Sequence, residues 1–408
     1  MMRTSQSKHQ PDRDLELTNA AVLLEREAAC AHVALRAWLF ESALPFWSTV
    51  GVDRSGSGFV EHLDLSAGPA DVPYKRVRVQ ARQIFVFSRA HMFGWPGALK
   101  AATAGYGFLT RHARRPDGAW VRALGVKGNV LDPTADLYDL AFVLFALAWY
   151  ARATGSTEAL DHAYRTLDWV KRSMSSPTGG FYNAMPISRE PRQQNPHMHL
   201  LEAVLALFKT THDDALLKTA DTLVDLFRTR FFDSRTGSLG EFFTDDWRWA
   251  EGDAGTRVEP GHHYEWVWLL DQYERLSNRI VEPEKSALYA FANRWGCDQD
   301  TGLVIDAVDR AGAVRDASVR IWPQTEAIKA HVVMAEQGNV AGAQAGAAIA
   351  QITSNLLQRF FVRPPAGTWT DHFAAGGAVK GDRIPSSTLY HIVMAFSELD
   401  RIFGKAAE

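Results

Sequence analysis

The stretch "DLYDLAFVLFALAWY" (136–150) is apolar around nearly its whole circumference when wound as a helix. A helix of this kind has no face to offer to water, so it must be covered on all sides. Its neighbours differ. "ALKAATAGYGFLTRHA" (98–113) and "ALDHAYRTLDWVKRSM" (159–174) each carry one apolar stripe and an otherwise polar surface, which marks a helix covered on one side only. A buried helix therefore lies between two peripheral ones.

The alternation runs through the chain. Mostly apolar helices begin near Arg78, Asp136, His197, His262, Trp322 and Ser386, at steps of roughly 60 residues, a helix-pair period longer than those of common solenoids. Amphipathic helices precede them, from "LLEREAACAHVALRAWLFESAL" (23–44) to "AQAGAAIAQITSNLLQRFF" (343–361). Each amphipathic helix leads into a turn rich in Gly, Asp, Ser or Pro: "GSGFVEHLD" (56–64), "PDGAW" (116–120), "SPTGGFYNA" (176–184), "SRTGSLGEFF" (234–243), "QDTGLVIDA" (299–307) and "PAGTWTDHF" (365–373). Such residues favour chain reversal and positive φ, and the short pieces after the glycines can pair as small strands. Six buried helices alternating with six peripheral ones predict an all-α fold: an (α/α)6 barrel of six inner and six outer helices, closed as a single domain over residues 20–408. An open helical solenoid is the alternative, and the lack of atypical end caps favours closure.

Bulk composition fits this reading. Hydrophobic residues make up 46% of the 408 and charged residues 22%, as in ordinary globular proteins. A net charge of −3 gives no basic field for nucleic acid. No run of apolar residues is long enough for a membrane span. The two cysteines, Cys30 and Cys297, exclude a disulfide scaffold and fit a reducing, cytoplasmic location. Residues 1–19 lack a signal-peptide core and are expected to form a disordered tail. Thirteen tryptophans and 22 phenylalanines fill a core or wall a sugar-sized pocket.

In a closed ring the six inner helices start at one end and share one mouth. Their first turns carry Arg82, Tyr138 with Asp139, His199 with Glu202, His262 with Glu265, Trp322 with Gln324 and Glu326, and Tyr390 with His391. Polar groups on otherwise apolar, buried helices cost a few kcal/mol each when unpartnered, so the constellation says more than any member. His262-x-x-Glu265 alone fits a helix cap, because i and i+3 share a face and a first turn welcomes an acid. The same spacing recurs one repeat earlier as His199-x-x-Glu202. A cation such as Arg82 at the start of an apolar helix needs an anion or a polar ligand. Three histidines and a glutamate could hold zinc or manganese, but no HExxH occurs. Glu265 and Glu326, joined by Asp139, could act as a glycosidase pair, yet that chemistry needs no histidines. No P-loop, dinucleotide fingerprint or G-x-S-x-G elbow is present. Histidines facing each other across a pocket suit proton transfer near neutral pH. Such a pair can take a proton from carbon beside a carbonyl and return it elsewhere, while Arg and backbone N–H groups stabilise an enediolate.

The motifs "RVQARQIFVFS" (78–88), "NPHMHLLEA" (195–203), "EPGHHYEWVWLL" (259–270), "WPQTEA" (322–327) and "LYHI" (389–392) resemble the N-acylglucosamine 2-epimerase superfamily, which includes mannose isomerases, sulfoquinovose isomerase and cellobiose 2-epimerases. The paired histidine motifs look most like the mannose and sulfoquinovose isomerase branch. The resemblance covers about residues 20–403 and implies the same barrel with acid/base catalysis that needs no metal and no cofactor. It implies His391 as the base at C2, His262 as its partner in ring opening and proton movement, and Glu265 as the group orienting His262. Arg82 would bind O1 and O2, His199 and Asn195 would hold hydroxyls, and Trp322 would stack on the sugar. Tyr138, Glu202 and Gln324 complete the expected binding set. The expected activity is interconversion of D-mannose and D-fructose, with a sugar 2-epimerase as the alternative. The expected ligand is a monosaccharide, with no nucleic acid or membrane partner, and the expected protein is a monomer or homodimer. The aromatic segment "FFTDDWRWAEGDAGTRVEPG" (242–261) is expected to cap the pocket, and its Arg248 or Arg257 could meet a sulfonate.

Overall fold

A computed structural model describes residues 26–53, 58–188, 190–338 and 342–404. The expected tail, residues 1–19, lies outside the described residues. Numbered along the chain, α1 runs over 26–49 with a π-helical turn at Leu39–Ala43. It is followed by α2 (Val77–Met92), α3 (Ala98–His112), α4 (Leu137–Thr154), α5 (Thr157–Ser173) and α6 (Asn195–Thr211). The second half holds α7 (Asp214–Leu226), α8 (Pro260–Ser277), α9 (Glu282–Trp295), α10 (Ile321–Glu336), α11 (Gly342–Asn355) and α12 (Thr388–Phe403).

Even-numbered helices form the inner ring. Each packs on the next, α2 on α4, α4 on α6, α6 on α8, α8 on α10 and α10 on α12, and α12 returns to α2. That last contact closes the barrel and excludes an open solenoid. Each of α2, α4, α6, α8 and α10 is backed by the odd-numbered helix that follows it. The helix backing α12 is α1, through His32, which stacks on Phe396 at 5.4 Å and lies 3.1 Å from Asp400. The outer ring is thus completed by the start of the chain. Helix α4 is long and apolar enough to cross a bilayer, but 72% of that window is buried within the barrel.

The six Gly turns sit where each outer helix hands over to the next inner one. Gly118, Gly179, Gly237, Gly302 and Gly367 all adopt φ between 69° and 96°, a conformation that glycine reaches without a Cβ penalty. The strand after each turn pairs antiparallel with the strand leading into the preceding inner helix. Tyr74–Arg76 takes Ala123–Gly125, Ala135–Asp136 takes Ala184–Met185, and Arg192–Gln193 takes Phe242–Phe243. Arg257–Val258 takes Ala307–Asp309, Val319–Arg320 takes His372–Phe373, and Ile384–Pro385 takes His62–Leu63. These ribbons circle the mouth and fix the height at which each inner helix begins.

A second device repeats beneath them. The side chain of Gln80 accepts from the Phe59 N–H at 2.7 Å, His197 from Phe181 at 3.0 Å, His263 from Leu239 at 3.1 Å and Gln324 from Val304 at 2.9 Å. Each clamps the Gly turn of its own repeat to an inner helix. Residues two apart on a helix point about 200° from one another. The residues two beyond the clamps are Arg82, His199, Glu265 and Glu326, and these face the barrel axis.

Candidate active site

The mouth leads into a cavity of about 260 Å³. Arg82, Tyr138, Asn195, His199, His262, Glu265, Trp322 and His391 all line it. The Trp322 ring lies between two catalytic candidates, 5.0 Å from the His262 ring and 5.9 Å from the His391 ring.

His391 Nδ1 lies 2.8 Å from Glu326 Oε1. Glu326 is ionised: burial opposes its charge, but the Lys329 ammonium bound to it, and the His391 contact, hold its carboxyl below the usual range. An ionised carboxylate only accepts, so Nδ1 carries the proton and Nε2 keeps a free lone pair. Burial pushes His391 down to about 4, the Glu326 contact resists, and the Arg82 and Lys329 charges add to the fall. At neutral pH His391 is therefore an uncharged imidazole able to take a proton.

His262 is held in the opposite state. Its Nδ1 lies 2.9 and 3.0 Å from the two oxygens of Glu241. Burial alone would lower its pKa, but Glu241, with Glu259 and Glu265, outweighs burial and raises it to about 9. His262 is thus an imidazolium at neutral pH, with Nε2–H as a donor. Two histidines in one cavity, one a base and one an acid, have their protonation set by different carboxylates.

Arg82 donates to the Tyr138 hydroxyl at 2.6 Å and lies 4.0 Å above the Phe142 ring. Among the described residues its Nε has no hydrogen-bond partner, and neither has Asn195 Oδ1. A donor and an acceptor thus stay available to a polar ligand. His199 donates through Nδ1 to Glu202 at 3.0 Å, and its Nε2 is 3.8 Å from Glu265. Burial keeps His199 below its usual pKa despite Glu202. Glu265, at the cavity wall, is raised well above the carboxylate range by burial and by Glu326, while the Lys329 and His262 charges resist.

Three expected roles are corrected. Glu265 does not orient His262; Glu241 does. The i, i+3 spacing puts His262 and Glu265 on one face, but His262 Nδ1 turns outward to the strand segment while Glu265 faces His199. Gln324 does not line the cavity, because both ends of its amide are taken by the Val304 N–H and C=O. Glu202 lies behind His199, where its oxygens accept from the Tyr390 hydroxyl at 2.6 and 2.7 Å. Asp139 pairs with Arg78 at 2.7 Å and takes no part in the cavity wall. Of the capping segment, Phe242 and Glu259 reach the cavity. Arg257 bonds Glu259 at 3.0 Å and Arg248 bonds Asp246 at 2.8 Å on the surface, so neither offers an uncompensated cation.

The residues that sequence reasoning missed are Glu241, Glu259, Gln193 and Arg320, which also line the cavity. Glu241 had a signal. At matching positions after the six Gly turns stand Glu61, Arg122, Asn183, Glu241, Asp306 and Asp371. Glu61 accepts from the Arg76 N–H at 2.8 Å, Asp306 from Arg320 at 2.8 Å and Asp371 from Thr388 at 2.7 Å. Four of the six positions are acidic and each serves the start of an inner helix.

Two groups bring possible metal-ligand atoms within 4.8 Å of one another: His199, Glu202 and Glu265, and Glu265, Glu326 and His391. Two of their three carboxylates are already engaged. Glu202 accepts from Tyr390 and His199, and Glu326 holds the Lys329 ammonium. A divalent cation at the second group would compete with a buried ammonium whose pKa, lowered by burial alone, is raised above its usual value by the Glu326, Glu265 and Glu202 charges.

Residues 58–395 match the family described as N-acylglucosamine 2-epimerase (GlcNAc 2-epimerase). The chain belongs to this family. It is 34% identical over 372 residues to a mannose-6-phosphate isomerase of Rhizobium meliloti (strain 1021), covering 90% of this chain and 96% of that protein. It is 31% identical over 330 residues to a D-mannose isomerase of Thermobifida fusca, covering 75% and 80%. The solved structure of a cellobiose 2-epimerase from Spirochaeta thermophila DSM 6192 superposes with a TM-score of 0.82 at 25% identity, over 92% of this chain and 97% of that one. The family member described here is an enzyme of the sugar isomerase and epimerase class.

Proposed function

We propose that this family member is an aldose–ketose isomerase that interconverts D-mannose and D-fructose. The observation that carries the reading is the opposed pair, uncharged His391 and charged His262, on either side of Trp322. In this scheme His262 protonates the ring oxygen as the C1–O5 bond breaks, and the O1 hydroxyl proton passes back to His262, leaving the open-chain aldehyde. Nε2 of His391 takes the C2 proton, and the electron pair moves into an enediolate whose O1 and O2 lie against Arg82. His391 returns its proton to C1, while His262 moves the hydroxyl proton from O2 to O1. No proton is gained or lost overall. A 2-epimerase would instead need protonation of C2 from the other face.

Three observations support a neutral monosaccharide. A cavity of about 260 Å³ is below the roughly 300–1,000 Å³ of pockets for drug-sized ligands. Glu241 and Glu259 line it and would repel a phosphate or sulfonate. Of its cations, Arg320 already bonds Asp306 at 2.8 Å and His262 is paired with Glu241. The names of the two isomerase relatives favour isomerisation over epimerisation. The free thiols Cys30 and Cys297 fit the reducing cytoplasm.

The test is proton NMR of the chelator-treated enzyme with D-mannose in D2O. Fructose signals and loss of the C2 proton are expected, and His391→Gln should abolish both. Glucose without fructose would assign an epimerase, and an unchanged mannose spectrum would refute the substrate.

A further inference from the structure

The opposite end of the barrel holds a second and larger cavity, of about 560 Å³, between the C-terminal halves of α2, α4, α6, α8 and α12. Four cations line it: Arg89, Arg152, Lys209 and Arg401. Among the described residues Arg401 is ion-paired, with Glu336 and Glu398, and the other three are not. Arg89 bonds the Ser397 hydroxyl at 3.1 Å, and Lys209 bonds the amide oxygen of Gln272. The acids nearby are already taken, Glu398 by Arg401 at 2.9 Å and Asp400 by His32 at 3.1 Å. The indole N–H groups of Trp149 and Trp268, both in the wall of this cavity, have no hydrogen-bond partner among the described residues.

A cation in the last turn of a helix offsets the helix dipole, and exposed Arg152 needs no more than that. Lys209 is different. Burial, resisted by Glu398 and Asp271 and aided by the Arg152 and Arg401 charges, pulls its pKa down to about 8, and burial, resisted by Asp400 and Glu398, pulls Arg89 to about 10. Charges held out of water beside like charges are costly unless something compensates them. Unpaired cations and unpaired N–H donors together describe a host for a group rich in acceptor oxygens and charge.

The cavity also touches the active site from behind. Glu202 lines it, and the same carboxylate holds His199 and Tyr390 on the mouth side. Trp268, in its wall, carries the Lys329 ammonium 4.2 Å from its ring, and Lys329 sets the charge of Glu326.

We propose that this rear cavity is a binding site for a phosphorylated metabolite, its phosphate held by Arg89, Arg152 and Lys209, which modulates catalysis through Glu202 and the Trp268–Lys329 contact. Binding can be tested without knowing which sugar turns over, so its failure is separable from failure of the proposed activity. The probes are fructose 6-phosphate and inorganic phosphate, followed by tryptophan fluorescence and by calorimetry. Saturable binding is expected, weakened about tenfold by Arg152→Gln and by Lys209→Met, with phosphate-free turnover within about twofold of wild type. Arg152 is exposed, so its variant reports even if Lys209→Met folds poorly. A saturating phosphate should shift kcat or KM in wild type and not in Arg152→Gln. No saturable response below about 10 mM, binding indifferent to both variants, or binding with no effect on turnover would overturn the proposal.

Discussion

Replacing Glu241 by Gln isolates the charge that makes His262 an acid. The carboxylate lies 2.9 and 3.0 Å from Nδ1, and His262 stands at about 9 against a reference of 6.5. A unit charge at about 4 Å in an effective dielectric near 20 is worth about 4 kcal/mol, or about three pKa units. The amide oxygen can still accept from Nδ1, and Glu259 remains 3.9 Å away, so the net fall should be about two units, to near 7. At pH 8 His262 would drop from about nine-tenths protonated to about one-tenth, a loss of about tenfold in kcat/KM, while at pH 6 the two enzymes should nearly agree. The assay is kcat/KM for mannose from pH 5 to 10, with circular dichroism to verify folding. An alkaline limb that stays near 9 in Glu241→Gln would refute the assignment of His262 as the acid and of Glu241 as the source of its charge.

Lys329→Met should act on the other limb. Without the ammonium Glu326 draws the proton onto His391, so the acid limb should climb from about 4 toward neutrality, while the Met side chain preserves bulk; an unmoved limb in a folded variant would remove Lys329 from the scheme. His263→Leu should leave the buried Leu239 N–H unpaired and cost about 1–3 kcal/mol in denaturant unfolding with kcat nearly kept, in contrast to the adjacent His262. Folding stability should peak near pH 6–7 in calorimetry. The raised pKa of His262 contributes stability that is complete below about 6.5 and lost as pH rises through about 9, whereas the lowered pKa of His391 destabilises as pH falls from 6.5 toward about 4. Turnover should survive EDTA dialysis, and restoration by added Mn²⁺ or Zn²⁺ after a loss would assign the carboxylate groups to a metal.

The barrel was legible because its signal is local and repeated. An all-apolar helix such as 137–150 can only be an inner one, and a glycine at positive φ marks each return to the mouth. Arg82, His199, Glu265 and His391 were legible for a related reason, since a charge on an apolar helix must have a use. What spacing could not supply was direction and partner. In "HMH" (197–199) one histidine clamps a turn and the other faces the cavity, because residues two apart lie on nearly opposite sides of a helix; either assignment fits the letters. In "HH" (262–263) the same division is made within one turn. Each of these two cavity histidines takes its protonation state from a carboxylate elsewhere in the chain, His262 from Glu241, 21 residues earlier, and His391 from Glu326, 65 residues earlier. The sequence by itself determined which helices are buried and which side chains are unusual there. Only closure of the ring decided which of those side chains meet. A pKa depends on the charges and solvent within a few ångströms of the group, and those neighbours come from different repeats.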